Sequence, residues 1–247
     1  MVVKPMKNIC SMTCVRSGAA APRLGDWRKG FTLIELLAVI AIIAVLAGLV
    51  MGTAGMATSK SRESKTRGEH AKLVTAIESY KQDMGNYPPD NIMTDGEFVD
   101  PVVRAGRNSL FWELGGATYH NGEFRSIGGD HVIKATELRT ALGARGVENS
   151  VRWDPASPGR KPRPPFRGVT FKKSEFAELD LPGDVDILVN QLKGPHDGKF
   201  KKRGSNLGVN PWFYNASSTN RHNTDGFDLW TEYIAREGTN VIGNWND

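Results

Sequence analysis

The chain has 247 residues, of which 39% are hydrophobic and 24% charged, a composition typical of one or two folded domains with a hydrophobic core. Its formal net charge of +5 arises within the first 30 residues, and the rest of the chain has equal numbers of basic and acidic residues. Both cysteines, Cys10 and Cys14, also lie in that first segment. A chain that lost it would have no disulfide, no cysteine zinc site and no cysteine nucleophile.

An apolar segment runs without interruption from Leu36 to Met51, after the basic pair Arg28-Lys29. Residues 31–52 together would form a helix about 33 Å long, enough to cross a bilayer core of roughly 30 Å. The preceding positive charge predicts a cytoplasmic N-terminus and an exported C-terminal body. A cleaved secretory signal is the alternative, but its apolar region is shorter and ends at a small-residue cleavage site.

Glu35, at the N-terminal end of this helix, is the one charged residue within 31–52. A carboxylate within a membrane costs about 2.5–3.5 kcal/mol at the centre and less near the interface. We therefore expect Glu35 to have a partner or a function. The alternative is a carboxylate that simply reaches the water of the headgroup region.

The segment that leads into the apolar helix reads RKGFTLIE at residues 28–35. It resembles the prepilin-type cleavage and methylation motif of type IV pilins and type II secretion pseudopilins. The resemblance implies that an inner-membrane prepilin peptidase cuts after Gly30 and that the new terminal residue, Phe31, is N-methylated. It also implies that Glu35 pairs during assembly with the terminal amine of a neighbouring subunit's Phe31.

Residues 59–84 are polar except for an apolar stripe at the spacing of one helix face. The stripe consists of Leu73, Ile77, Tyr80 and Met84. We expect the helix to continue out of the membrane and to end near Gly85, before Pro88-Pro89. The sequence AIESYKQDMGNYP at 76–88 resembles the end of the long helix in the major pseudopilin of type II secretion.

Residues 210–214 and 226–230 resemble the paired strands that follow in the same family. The predicted fold class is therefore α+β and pilin-like: a long N-terminal helix, with a transmembrane half and an amphipathic half, packs on a small antiparallel β-sheet domain with a long irregular insertion. The predicted domains are a leader at 1–30, the transmembrane half at 31–52, the amphipathic half at 53–87, and a periplasmic domain at 88–247 with the insertion at about 91–207.

The insertion contains many glycines and prolines, and we expect it to pack on one face of the domain. Local patterns within it predict a helix at Ala135–Leu142 and strands at Val169–Phe171 and Val185–Val189. The proline-rich stretch Arg160–Arg167 is predicted to be an exposed loop.

Asp225 and Asp228 are candidate calcium ligands, because major pseudopilins commonly bind one calcium ion in the C-terminal loop through acidic side chains and backbone carbonyls. The Asp-rich loop usual in the family is missing here, and Arg236 lies in its place. Turn capping is therefore an alternative role for both residues. The sequence predicts no other cofactor.

No catalytic motif is present: the five histidines form no HExxH pair, and GxSxG, P-loop and Rossmann patterns are missing. The acidic residues at 175–186 could supply paired carboxylates for glycoside chemistry, but a solvated face explains them more simply. Basic residues at 160–173 and 199–203 could bind nucleic acid, yet the neutral charge of the body predicts no such partner. We expect no enzyme.

The sequence thus predicts a structural pseudopilin that lies in the inner membrane, surrounded by lipid before assembly, with its N-terminus in the cytoplasm and its C-terminal domain in the periplasm. Its expected partners are other pseudopilins in a periplasmic filament for protein export, the prepilin peptidase and the inner-membrane secretion platform. Two alternatives stay open. One is a type IV pilin subunit for adhesion or DNA uptake, and the other is an exported enzyme or sugar-binding module with a pilin-type membrane anchor.

Overall fold

The computed structural model describes residues 30–90, 100–128, 130–152, 163–183, 185–217 and 221–245, with the backbone alone at 50–57. The chain forms two compact units, Met1–Gly52 and Thr53–Asp247. Helix α1 (Leu33–Met84) contributes residues to both units. The shorter helices are α2 (Pro101–Gly106), α3 (Leu110–Gly115) and α4 (Ala135–Leu142).

Three sheets lie in the second unit, within the part of the chain that the structure describes. The strands are β1 (Ala117–His120), β2 (Glu123–Ser126), β3 (Val132–Lys134), β4 (Ser150–Arg152), β5 (Phe176–Leu179), β6 (Val185–Asn190), β7 (Asn210–Pro211), β8 (Phe213–Asn215), β9 (Asp228–Ala235) and β10 (Gly238–Gly243). The first sheet has the order β3-β2-β1-β4, in which β1 and β4 are parallel and the other pairs are antiparallel. The second sheet (β5-β6-β7) and the third sheet (β10-β9-β8) are antiparallel.

The predicted α+β class is confirmed, and so are the paired strands near the C-terminus, where Phe213 of β8 lies opposite Trp230 of β9. The prediction of one small antiparallel sheet was too simple, because the strands are divided among three sheets and one pair is parallel. Among the described residues, none of the helices is both long enough and apolar enough to cross a membrane.

Helix α1 ends as the sequence predicts. Its last residue is Met84, and the Gly85 N–H donates to the Lys81 carbonyl at 2.8 Å. Gly85 has a φ of +86°, a conformation that glycine adopts without the steric cost of a Cβ. The helix therefore ends because glycine closes its last turn before Pro88.

The predicted apolar stripe of α1 is confirmed as its buried face, with Leu73, Ile77 and Tyr80 buried and Met84 half-buried. The same face continues one further step toward the N-terminus with a polar residue, His70, which is 5% exposed. Its Nε2 lies 3.0 Å from the Leu229 carbonyl, and its ring packs against Trp212. The sequence pattern missed this residue because a histidine interrupts the apolar periodicity.

The middle segment supplies much of the core of the second unit. Strand β6 is buried along its whole length between β5 and β7, and Leu110, Trp112 and Leu138 are almost completely inaccessible. These residues belong to the segment that we expected to pack on one face of the domain. Its burial instead makes it part of the same core as α1.

Local predictions within this segment have mixed outcomes. Helix α4 and the strand at β6 are confirmed, with β6 one residue longer than predicted. The predicted strand at Val169–Phe171 is wrong, because these residues lie in a loop whose Val169 N–H donates to the Leu114 carbonyl of α3. In the proline-rich stretch, 160–162 lie outside the described residues. Arg163, Pro165 and Arg167 are exposed as predicted, whereas Phe166 is buried.

A buried carboxylate connects three parts of the second unit. Glu113 of α3 is completely buried and accepts hydrogen bonds from the Tyr80 hydroxyl at 2.9 Å, the Glu148 N–H at 2.8 Å and the Asn149 N–H at 3.0 Å. Burial raises the pKa of Glu113 to about 7, although these three donors oppose the shift. This carboxyl group therefore couples the packing of α1 and α3 to its protonation state.

Because Glu113 is buried, we expect the free energy of unfolding to depend on pH. Because the pKa is raised on folding, the folded state binds more protons between about pH 4.5 and 7, and stability decreases as the pH rises through that range. The contribution is about 3 kcal/mol. Urea unfolding of the full chain in detergent should show that Glu113→Gln removes this decrease. The variant should also be less stable at every pH, because an amide offers only one acceptor oxygen.

Equal pH slopes of the unfolding free energy in the wild type and Glu113→Gln would contradict the prediction. The exposed Glu237→Gln is the matched control and should keep the wild-type slope.

Candidate functional site

The candidate processing site lies at the N-terminal end of α1, in the first unit. The side chain of Phe31 is 85% exposed, and Gly30 has no described atom within 4 Å of the position that a Cβ would occupy. Within the described residues, nothing therefore covers the peptide bond between Gly30 and Phe31.

Thr32 and Glu35 close the first turn of α1 by reciprocal hydrogen bonds. The Glu35 carboxylate oxygen Oε2 accepts from the Thr32 N–H and from the Thr32 hydroxyl, both at 2.8 Å, and the Glu35 N–H donates to the same hydroxyl at 3.3 Å. This arrangement is a capping box, in which residues three positions apart satisfy N–H groups that a helix leaves free at its start.

The capping box gives Glu35 a partner within its own chain, which our reading of the sequence missed. The signal was available, because Thr-Leu-Ile-Glu at 32–35 fits the pattern of Ser or Thr followed three residues later by Glu. Both bonds to the side chain use Oε2. In the part of the chain that the structure describes, Oε1 stays without a partner.

The apolar residues that follow are exposed on every side of α1. Large side chains between 31 and 49 are 47–85% exposed, and they include adjacent pairs such as Leu36-Leu37 and Ile42-Ile43, which point to different sides of a helix. A helix that is apolar all round is normally covered by other protein or by lipid. Nothing in the described residues supplies that cover.

A family model described as the prokaryotic N-terminal methylation motif matches residues 28–51. The chain carries the prepilin-type cleavage motif of type IV pilin-like proteins. The match begins at the basic pair and includes Gly30, Phe31 and Glu35, so the resemblance seen in the sequence is confirmed for this segment. Neither a curated protein nor a solved structure matches the chain.

The calcium candidates, far from the prepilin-type motif in sequence, differ in their surroundings. Asp225 is exposed, whereas Asp228 is 2% exposed and accepts hydrogen bonds from the His222 N–H at 2.8 Å and the Asn223 N–H at 2.9 Å. Among the described residues, no group of three or more acidic, histidine or cysteine side chains could hold a metal ion. The observed contacts show Asp228 capping the turn before β9, and the calcium site stays a prediction.

Three of the acidic residues singled out at 175–186 contact a basic side chain or a histidine. Glu175 contacts Lys72 at 3.1 Å, Glu178 contacts Arg203, and Asp186 contacts His131 at 2.9 Å, while residue 184 lies outside the described part of the chain. Glu178 of β5 lies opposite Asp186 of β6, and each of the two carboxylates has its own partner.

Replacing Thr32 tests the capping box. Thr32→Val removes the hydroxyl that bonds both the carboxylate and the N–H of Glu35, and loss of such a cap costs about 1 kcal/mol. Hydrogen exchange of the full chain in detergent should show the Glu35 amide exchanging roughly fivefold faster. Thr32→Ser keeps the hydroxyl and should exchange as the wild type does. Identical rates in the valine and serine variants would contradict the capping role.

Replacing Asp228 tests the turn at 222–228. Asp228→Asn turns an amide NH₂ group toward backbone donors, so we expect a loss of about 1–3 kcal/mol in unfolding free energy. The loss should appear in the presence of a calcium chelator, because the turn bonds need no metal. The exposed Asp225→Asn is the control and should be neutral. A wild type whose melting temperature rises with added calcium would support the calcium prediction, and a neutral Asp228→Asn in chelator would contradict the capping role.

Proposed function

We propose that this chain is a structural pseudopilin, cut after Gly30 by a prepilin peptidase, methylated at Phe31 and assembled into a periplasmic filament of a type II secretion system. The observation that carries the proposal is the exposed apolar surface at residues 31–49, which begins directly after the prepilin-type cleavage site. Burial of each large apolar side chain contributes about 1.5–3 kcal/mol. A surface of this kind must be covered, by lipid before assembly and by neighbouring copies of the chain afterwards.

Lipid covers the apolar residues before assembly, with the N-terminus in the cytoplasm and the second unit in the periplasm. The basic pair Arg28-Lys29 before the apolar segment supports this orientation. The apolar residues at 36–51, which include no charged side chain, support contact with lipid.

Neighbouring copies cover the same residues after assembly, and Glu35 directs the packing. Cleavage creates a positively charged amine at Phe31, and a neighbour's Glu35 is its counter-ion. The capping box supports this role because it fixes the side chain through Oε2 and leaves Oε1 without a partner in the described residues. A charge that is costly in lipid alone then becomes part of an ion pair between subunits.

Residues 76–88 support a pseudopilin over a type IV pilin, since they resemble the end of the major pseudopilin's long helix. The partners would be other pseudopilins and the inner-membrane secretion platform, and the chain would act without catalysis. Deleting the gene in its own bacterium should therefore abolish the release of extracellular proteins and leave surface pili intact. Loss of pili with normal secretion would assign the chain to a type IV pilus instead.

Variants of the cleavage and assembly residues test the proposal at the level of the molecule. In cells that contain the prepilin peptidase, Gly30→Val should block both cleavage and assembly. Glu35→Ala should be cleaved normally but should lose the ladder of cross-linked multimers, because the incoming amine has no counter-ion. Glu78→Ala, on the same helix but in the second unit, is the matched control and should assemble. Multimers that form equally well with Glu35→Ala would overturn the proposed assembly.

A further inference from the structure

One face of the third sheet carries a cleft of about 570 Å³. Asp228, Trp230 and Glu232 alternate along β9, so their side chains lie on the same face of the sheet, while Leu229 and Thr231 between them are completely buried on the other face. The cleft is lined by Asn215, His222, Asp228, Trp230, Glu232, Val241 and Trp245. All of them belong to the second unit.

Two indole rings form the apolar part of this cleft and are held in place by other rings. Phe213 stacks against Trp230 with a centroid distance of 5.4 Å, and Trp230 lines the cleft. Trp245 meets Trp230 at 5.7 Å and an angle of 63°, and it stacks almost parallel on His222 at 4.1 Å. The aromatic surfaces are thus preorganised, which reduces the entropy lost on binding.

The two carboxylates of the cleft already have hydrogen-bonding partners within the protein. Glu232 lies 3.3 Å from His196 Nε2, and Asp228 accepts from two backbone N–H groups. Among the described residues, no lysine or arginine lines the cleft, and these are the side chains that most often bind a phosphate or another anion. Flat aromatic faces beside a few oriented polar groups are the composition of a small-molecule site.

We propose that this cleft binds a pyranose unit of a neutral polysaccharide. The C–H face of a sugar ring would stack on Trp230, and its hydroxyl groups would donate to the Glu232 carboxylate. A neutral ligand fits better than an organic cation, because Asp228 already accepts two backbone N–H bonds and Glu232 already contacts His196. The residues of the cleft belong to the second unit and the prepilin-type motif belongs to the first, so this proposal does not depend on assembly into filaments.

Binding can be measured by titration calorimetry and tryptophan fluorescence on the full chain, in a detergent without a sugar headgroup. The probes are hexasaccharides of β-1,4-linked glucose, xylose, mannose and N-acetylglucosamine, with tetramethylammonium as the cationic probe. At least one hexasaccharide should bind saturably. Trp230→Ala and, separately, Trp245→Ala should weaken it at least about tenfold. Tyr119→Ala, a half-buried aromatic of the first sheet, is the control and should leave the affinity unchanged.

Glu232→Gln separates the two kinds of ligand, because the amide can still accept a hydrogen bond but has no charge. A sugar should bind this variant within a few-fold of the wild type, whereas a cation should lose most of its affinity. The inference is overturned if no hexasaccharide binds, if both folded tryptophan variants bind normally, or if tetramethylammonium binds and the sugars do not. Circular dichroism checks that each variant folds. If Trp230→Ala does not fold, the affinity of Trp245→Ala for the hexasaccharide decides the outcome.

Discussion

Apolar side chains at 31–49 lie exposed on every side of α1, and the need to cover them determines the surroundings in which the chain is stable. Water is a poor environment for a surface of this size, so another molecule must cover it. The constraint also explains the start of the helix, where Thr32 and Glu35 satisfy each other's polar groups before the apolar residues begin. A helix start without such a cap would leave N–H groups unpaired where the apolar residues begin.

The second unit differs, because its part of α1 buries one face in the unit's own core. Tyr80 lies at the centre of that core and donates to the buried Glu113, which in turn holds the backbone at 148–149. This arrangement connects α1 to the middle segment through a carboxyl group whose pKa burial raises to about 7. The second unit therefore provides a folded surface of its own, and the aromatic cleft on its third sheet is part of that surface.

Features that depend on local sequence were the ones that could be predicted. The apolar stripe and the end of α1, helix α4 and the cleavage motif follow from spacing, caps and a short pattern. The capping box was equally local and could have been found from Thr32 and Glu35 alone. The paired strands near the C-terminus were found from their resemblance to a known pattern, without knowledge of the other two sheets.

Features that depend on distant partners could not be predicted. Val169–Phe171 has the β-branched and aromatic residues of a strand, but α3 rather than another strand takes the hydrogen bond of Val169. Asp228 and Asp225 look alike in sequence, yet folding buries one and exposes the other. The cleft joins residues from β8, β9, β10 and the flanking loops, so no local pattern reports it.

The most direct test is the intact mass and N-terminal peptide of the protein purified from its native membrane. Processing at the prepilin-type motif predicts a chain that begins at N-methylated Phe31. A chain that keeps residues 1–30, or one that is cut beyond Met51, would contradict the central claim, because the apolar helix would then not be presented for assembly as proposed.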